Sequence, residues 1–481
     1  MGKKELYFGS FINGKEISGN GRKEMDVNNP YDNERIGIIS CAKQEDAENA
    51  VVNAHKVFNE TMRKMPAHER SDILRKTADL LEGRVEDFAK VLSLEAGKPI
   101  TESRGELTRA LQVLRFAADG AKTIYGEQIP LDSAIGGENR VGLTKRVPLG
   151  VVVGITPFNF PLNLTLHKIA PAIASGNTIV LKPAEKTPLS AAKLYHLFVE
   201  AGLPKGAFNL LMGPGEELVE TLVTHPSVEK ITFTGSNVVG WKIHEMAKGK
   251  KVTLELGANA PNIVFDDADL DVVVDTLVPG GFTYAGQACI AVQRVYIAEK
   301  IFDSLVDKLE ARVKSLKMGD PLDETTVLGP MITENAAERA ESWINEAVQE
   351  GATIVTGGKR SGTMIEPTIL KDVHEDMNVV CEEVFAPVIN VIPFSDESDV
   401  VERANDSKYS IHAGVFTTDI NRAMRLTDSL DMTGVWINEA SVKRFDHIPY
   451  GGKKISGIGK EGVQYAIEEM TDIQFIGIKL Y

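Results

Sequence analysis

The sequence predicts an α/β protein of a doubly wound unit followed by a second α/β unit, opening on a β-hairpin and closing on a strand. Two observations predict it. Short, β-branched apolar runs alternate with helical stretches in two separate blocks, as expected of parallel sheets covered on both faces. With 481 residues, 43% of them hydrophobic, the chain also exceeds what one core ordinarily organises and has material for two or three.

The elements follow in order. Asn13-Gly14 sits between the extended residues of Phe11–Ile17, a hairpin signal because both turn positions accept positive φ. Ala50, Val51, Ala54 and Val57, then Ile73, Leu74, Ala78, Leu81, Phe88 and Leu92, recur at helical spacing and predict two or three helices with a break at Pro66. Residues 101–125 continue as helix, and 126–148 are rich in Gly, Pro and polar residues. The first alternating block places strands at 150–155, 178–181, 208–211 and 230–234, with helices at 188–201 and 216–224 between them. The second begins near Ile263, with strands at 295–298, 388–394 and 414–417 and helices at 302–317 and 333–350. The final stretch, 472–481, reads as a strand that cannot stand alone and must pair elsewhere, another subunit being one place.

Composition excludes several functions. The formal charge is −15 and no block of Lys or Arg occurs, which argues against nucleic-acid or anionic-membrane partners. Residues 1–20 lack the apolar run of a signal peptide, Leu6 stands where a myristoylation motif wants Ser or Thr, and no stretch reaches membrane-span length, so a cytoplasmic location is expected. Cys41, Cys289 and Cys381 are too few and too scattered for a disulfide framework or a metal site. A cysteine with a task here acts as a thiolate.

Gly235-Ser236 follows the strand ending at Thr234 and opens a helix, so free backbone N–H groups and a positive helix end would face a pyrophosphate. Alone, this is an ordinary N-cap. It gains weight from other motifs in fixed order: Leu94-Glu95-Ala96-Gly97-Lys98-Pro99, Pro157-Phe158-Asn159-Phe160-Pro161, Lys182-Pro183-Ala184-Glu185, Leu254-Glu255-Leu256-Gly257, Gly286-Gln287-Ala288-Cys289, Glu382-Glu383-Val384-Phe385 and Pro449-Tyr450-Gly451-Gly452. In these motifs, which span nearly the whole chain, the protein resembles the aldehyde dehydrogenase superfamily.

The resemblance implies a Rossmann-like NAD-binding domain over 1–123 and 145–256, a second α/β catalytic domain over 257–463, and a small β oligomerisation element from 124–144 and 464–481, assembled as a homodimer or homotetramer. It assigns Cys289 as the nucleophile that adds to the aldehyde carbon, Asn159 with the Cys289 N–H as the oxyanion donors, and Glu255 as the base that hydrolyses the thioester. Without it, Cys289 would be a small buried hydrophobe, Asn159 a turn residue and Glu255 a strand-end carboxylate. Burial among Leu254, Leu256 and Gly257 would raise the Glu255 pKa toward a useful range.

For the cofactor, the resemblance points to Lys182 and Glu185 at the adenosine ribose, Thr156, Pro157, Gly235 and Ser236 along the dinucleotide, Glu383 on the nicotinamide ribose and Phe385 against its ring. A carboxylate at Glu185 repels a 2′-phosphate, favouring NAD over NADP, although Lys186 could offset it. Members that pass the acyl group to coenzyme A lack a Glu at the position of Glu255, so water is the expected acceptor. A non-catalytic relative would have lost some of these residues, and a broad-specificity enzyme is the other rival.

The substrate tunnel of the family implies a lining of Arg109, His167, Ala288, Ile290 and Arg444, with His447 nearby. Paired arginines suit an aldehyde bearing a carboxylate, sulfonate, phosphonate or phosphate, the alternative being that acids of the protein occupy them. The stretches 161–171 and 437–441 resemble the lactaldehyde, phosphonoacetaldehyde and non-phosphorylating glyceraldehyde-3-phosphate dehydrogenase branch. Ala288 departs from it, since phosphate- and phosphonate-using members tend to carry Arg there. Lactaldehyde, a semialdehyde acid and a sulfonated aldehyde remain.

Overall fold

The computed structural model describes residues 5–19 and 21–481. The polar opening at 1–4, and Asn20, read above for targeting signals, lie outside the described residues. Asn13 and Gly14 take φ of 51° and 76° between strands Ser10–Ile12 and Lys15–Ile17, so the expected hairpin turn forms. Helices Gln44–Glu60, Ala67–Glu82, Val85–Ala96 and Ile100–Gly120 follow, and Pro66 is the N-cap of the second.

The first alternating block builds an eight-stranded sheet. Its order is Gly457–Ile458, Lys251–Glu255, Val228–Thr234, Val151–Ile155, Thr178–Lys182, Phe208–Leu210, Ser10–Ile12 and Lys15–Ile17. The five strands from Lys251–Glu255 to Phe208–Leu210 run parallel. Val151, Val152, Val153, Ile179, Val180 and Leu181 are fully buried, because helices cover both faces of these continuous apolar runs. From Val151–Ile155 the chain winds outward through Thr178–Lys182 and Phe208–Leu210, then crosses back to lay Val228–Thr234 on the other flank. That reversal is a topological switch point, where a crevice opens beyond the strands' carboxyl ends. Register puts Ile155 beside Lys182 and Phe233, and Thr234 beside Glu255, so Thr156, Pro157, Lys182, Gly235, Ser236 and Glu255 all emerge at this one end.

The second block forms a seven-stranded sheet in the order Thr353–Thr356, Thr368–Lys371, Val388–Phe394, Val292–Ala298, Ala260–Val264, His412–Phe416 and Gly434–Ile437. All but the first strand pair in parallel. A third sheet answers where the C-terminus pairs. Thr471–Lys479 lies antiparallel along Arg140–Pro148 of its own chain, over nine paired positions, with Gln128–Ile129 on the far side. Its outer edge stays open, and Ile473, Phe475, Ile476 and Ile478 are exposed on it.

Gly457–Ile458 does not stay with the second sheet. It returns to the first and pairs with Leu254 and Glu255, which ties the C-terminal region to the strand carrying the expected base. Among the described residues no helix is long and apolar enough to cross a membrane, and no cluster of three or more His, Cys, Asp and Glu is arranged to hold a metal ion.

Candidate active site

A cavity of about 370 Å³ opens at the switch point, and Cys289, Glu255 and Asn159 share its wall with Pro157, Gly235, Ser236, Glu383, Phe385, Arg109 and Arg444. At its wall Arg109 is held by Asp446, 337 positions away.

Cys289 follows a backbone twist. Tyr284 and Ala285 hold φ of 47° and 53°, left-handed values that non-glycine residues rarely adopt, and Gly286 continues at 70°. The Tyr284 hydroxyl donates to the Ala96 carbonyl at 2.5 Å, and the Gln287 amide donates to the Tyr284 carbonyl at 3.1 Å while accepting from Ile332 N at 2.9 Å. Anchored so, the turn presents Cys289 Sγ to the cavity, 2.8 Å from Tyr450 Oη. Burial pushes the thiol up to about 11, with the Tyr450 hydrogen bond and Arg444 pulling the other way.

Asn159 is buried and donates through Nδ2 to the Gln287 carbonyl at 2.9 Å, while its Oδ1 accepts from Phe160 N at 3.1 Å. An amide nitrogen carries two protons, so the second remains for an oxyanion at the sulfur. Glu255 is 3% exposed, and neither carboxylate oxygen has a hydrogen-bond partner among the described residues. Burial, with Glu461 nearby, drives its pKa well above the ordinary 4.5. Glu461 itself is fixed as an anion. Burial would raise it, but Lys168 and Arg444 outweigh that, with Lys168 Nζ at 2.9 Å and Arg444 Nη2 at 3.2 Å. Two carboxyls thus sit in one dry site with separated protonation states, the pattern that divides acid and base roles.

The two arginines both have acid partners. Arg109 grips Asp446 through Nε at 3.1 Å and Nη2 at 2.6 Å, its side chain 28% exposed on the cavity wall. Arg444 bonds Glu461 through Nη2 alone, lies 3.8 Å over the Tyr450 ring, and keeps a buried Nε with no partner among the described residues. His167 corrects the expectation of a tunnel residue. It is buried, outside the cavity lining, and its Nε2 meets Asp446 at 2.8 Å from behind. Burial lowers its pKa and keeps it neutral. His447 also stays off the lining, its ring against Phe116 and Phe445.

Lys182 and Glu185 stand at the end of their strand with Nζ and Oε1 3.4 Å apart, and Glu185 Oε1 accepts from Gly215 N at 2.6 Å. A nearly buried amine beside a part-exposed carboxylate, at the carboxyl ends of parallel strands, fits the hydroxyls of a ribose. Ser236 caps helix Asn237–Met246 by accepting from Val239 N at 3.4 Å, which directs that helix's positive end into the cavity. Glu383 accepts from Ala258 N at 3.0 Å, and burial pushes it up to about 7. Phe385 packs edge-on to Phe158 with ring centroids 6.0 Å apart. These residues fit a nicotinamide dinucleotide lying from Lys182 to Phe385.

Sequence reasoning missed Tyr450, Glu461, Lys168, Asp446 and Asn163 as parts of this site. Tyr450 lay within a quoted motif, and its hydroxyl, once buried, needs a partner. Glu461 and Asp446 carry no local signal, since their importance comes from the cations they meet only in three dimensions.

Known proteins match this architecture. The aldehyde dehydrogenase family profile matches residues 17–476. The 3-sulfolactaldehyde dehydrogenase of Priestia aryabhattai is 45% identical over 473 residues, covering 98% of each chain. The crystal structure of aldehyde dehydrogenase 21 from Physcomitrella patens, in complex with the reaction product succinate, superposes with a TM-score of 0.96 at 40% identity, covering 99% of each chain. Glyceraldehyde-3-phosphate dehydrogenase GapN from Methanocaldococcus jannaschii, complexed with NADP, gives 0.92 at 41% identity over 96% of this chain and 100% of that one. With these likenesses end to end, the chain belongs to the aldehyde dehydrogenase family, NAD(P)-binding oxidoreductases, and oxidises a functionalised aldehyde.

Proposed function

We propose that this enzyme oxidises a short aldehyde bearing a distal anionic group to the carboxylate, with NAD as oxidant and water as acyl acceptor. The observation that carries the substrate reading is charge around the cavity. Arg109, Arg444 and Lys168 face only Asp446 and Glu461, with Glu255 held neutral by burial and His167 neutral behind them. One cation is in excess, and the free Nε of Arg444 supplies a buried donor for an anion. Two of the relatives reported above point the same way, one named for a sulfonated aldehyde and one holding succinate.

In this reading Cys289 adds as thiolate to the carbonyl carbon, and the oxygen, now carrying the charge, is held by the Asn159 amide. The chemistry supplied by a bound nicotinamide is acceptance of the hydride from that carbon. What stays on Cys289 is a thioester. Glu255 first gives up its proton to solvent, and its carboxylate then takes a proton from water as the water oxygen attacks the acyl carbon and the thiolate leaves. The unbonded carboxyl of Glu255 on the wall beside Cys289 supports hydrolysis over transfer to coenzyme A.

NAD is favoured because Glu185 presents its carboxylate to the ribose. Lys186, the residue that would offset it, lines a separate hollow with Asp26, Asp32 and Glu334. Assembly into a homodimer or homotetramer through the open edge of Thr471–Lys479 is supported by its exposed apolar side chains. The functional parts proposed are the NAD-binding portion (1–123 and 145–256), the catalytic portion (257–463) and the oligomerisation element.

The test is NADH formation from sulfolactaldehyde, succinate semialdehyde, lactaldehyde and glycolaldehyde, with Arg109→Leu in parallel. The expected result is a strong preference for the anionic substrates, and a rise in their KM in the variant with neutral aldehydes little changed. Equal turnover of neutral and anionic aldehydes overturns the substrate reading.

A further inference from the structure

Tyr450 has no task in the chemistry above, yet its hydroxyl touches the reacting sulfur directly, Oη to Sγ at 2.8 Å. The ring that carries it is buried and held by two neighbours. Tyr450 is 2% exposed, the Arg444 guanidinium lies 3.8 Å over one face of its ring, and the His412 ring meets it edge-on at 5.2 Å. Its backbone is tied to Glu461 in both directions, N to O at 3.0 Å and O to N at 2.6 Å. With its backbone so fixed, the phenol cannot swing away without uncovering the arginine.

The direction of the hydrogen bond follows from the surroundings. Burial keeps the phenol protonated, so Oη has a proton to give. A guanidinium over the ring face draws electron density from the ring and strengthens the O–H as a donor. A thiolate is the better acceptor of the two forms of sulfur.

We propose that Tyr450 donates a hydrogen bond to the sulfur of Cys289, holding the thiolate in preference to the thiol and fixing its aim at the substrate carbon. This rests on Cys289 being the nucleophile. It gives the site a means of forming a thiolate in surroundings whose dryness opposes one. It also makes Arg444 serve twice, at the substrate's anion and, through the ring, at the nucleophile.

The test is the rate of Cys289 alkylation by iodoacetamide against pH in the cofactor-free full chain, read at that residue by mass spectrometry, in wild type and Tyr450→Phe. The variant keeps the ring under Arg444 and loses only the hydroxyl. Loss of a hydrogen bond to a charged group raises the midpoint by about one to two pH units, so alkylation below the midpoint slows about 10- to 100-fold. Fluorotyrosine incorporated throughout the protein strengthens the donor and moves the wild-type midpoint down, which decides the matter if Tyr450→Phe does not fold. An unchanged or lowered midpoint in Tyr450→Phe, or no movement with fluorotyrosine, overturns the inference. Cys289→Ala separates the two assignments. If it still turns over aldehyde, the nucleophile reading fails, whereas an inactive Cys289→Ala beside an unshifted Tyr450→Phe sinks the role of Tyr450 alone.

Discussion

Replacing Glu255 by Gln tests both the chemistry and the physical state of the site. The side chain keeps its shape and loses its capacity to ionise. If Glu255 withdraws the proton from the hydrolytic water, the acyl-enzyme forms normally and then persists. Stopped-flow absorbance should show a burst of one NADH per Cys289, followed by steady turnover slower by about 10²–10⁴. A burst that vanishes along with turnover would refute the assignment, because Glu255 would then act before hydride loss. The same variant has a stability signature. Glu383, equally buried but bonded to Ala258 N, is pushed from 4.5 to about 7. At about 1.4 kcal/mol per pH unit this corresponds to roughly 3 kcal/mol for Glu383, and Glu255, without a hydrogen-bond partner and beside an anionic Glu461, is raised in the same direction. Its folded pKa lies above the unfolded one, so the stability from holding its proton is full in acid and lost as pH rises through the folded value. Glu255→Gln removes that loss. Thermal melts of the cofactor-free protein should coincide with wild type in acid and lie several degrees higher in alkali, and a lower melting temperature in alkali would contradict the buried neutral acid.

Three further outcomes follow from named contacts. Asn159→Ala should lower kcat about 10²–10³-fold with KM nearly unchanged, since the amide acts on charge absent from the ground state, and steady-state kinetics separate the two. Glu185→Ser should raise kcat/KM for NADP at least several-fold while weakening NAD, because the carboxylate facing the ribose is removed; unchanged selectivity would assign cofactor choice elsewhere. Lys168→Met leaves Glu461 buried with Arg444 as its remaining ion pair, so it should destabilise the fold by about 3 kcal/mol in chemical denaturation and raise the pKa of Glu461.

How much was legible in the sequence differs between layers. The alternating runs placed the strands from 150 to 234 and two of the three helices between them almost to the residue, because a doubly covered parallel strand must be apolar throughout, whereas helix Asn163–Ser175 was given no bounds. The Asn13-Gly14 turn was equally local. The partner of the last strand was not, since nothing in 471–479 itself specifies Arg140–Pro148. In the site, Cys289, Glu255 and Asn159 were found through motifs, and the structure gathers them on one wall. His167 was placed at the tunnel by the resemblance, which names a helix and not the face that meets the cavity, and the carboxylate that takes its Nε2 lies 279 residues away. Tyr450 had a motif but no assigned contact, and its meaning needed the sulfur.

The backbone bridge between Tyr450 and Glu461 also bears on when the enzyme becomes active during synthesis. Cys289, Asn159 and Glu255 have all left the ribosome long before this bridge can close, and strand Gly457–Ile458, which pairs with Leu254 and Glu255, emerges between its two ends. Until then the thiol lacks Tyr450, Lys168 and Arg444 lack Glu461, and the carboxyl of Glu255 stays wet. A chain cut short before Tyr450 therefore keeps Cys289 but lacks the hydroxyl, the Glu461 carboxylate and the strand that gather around it.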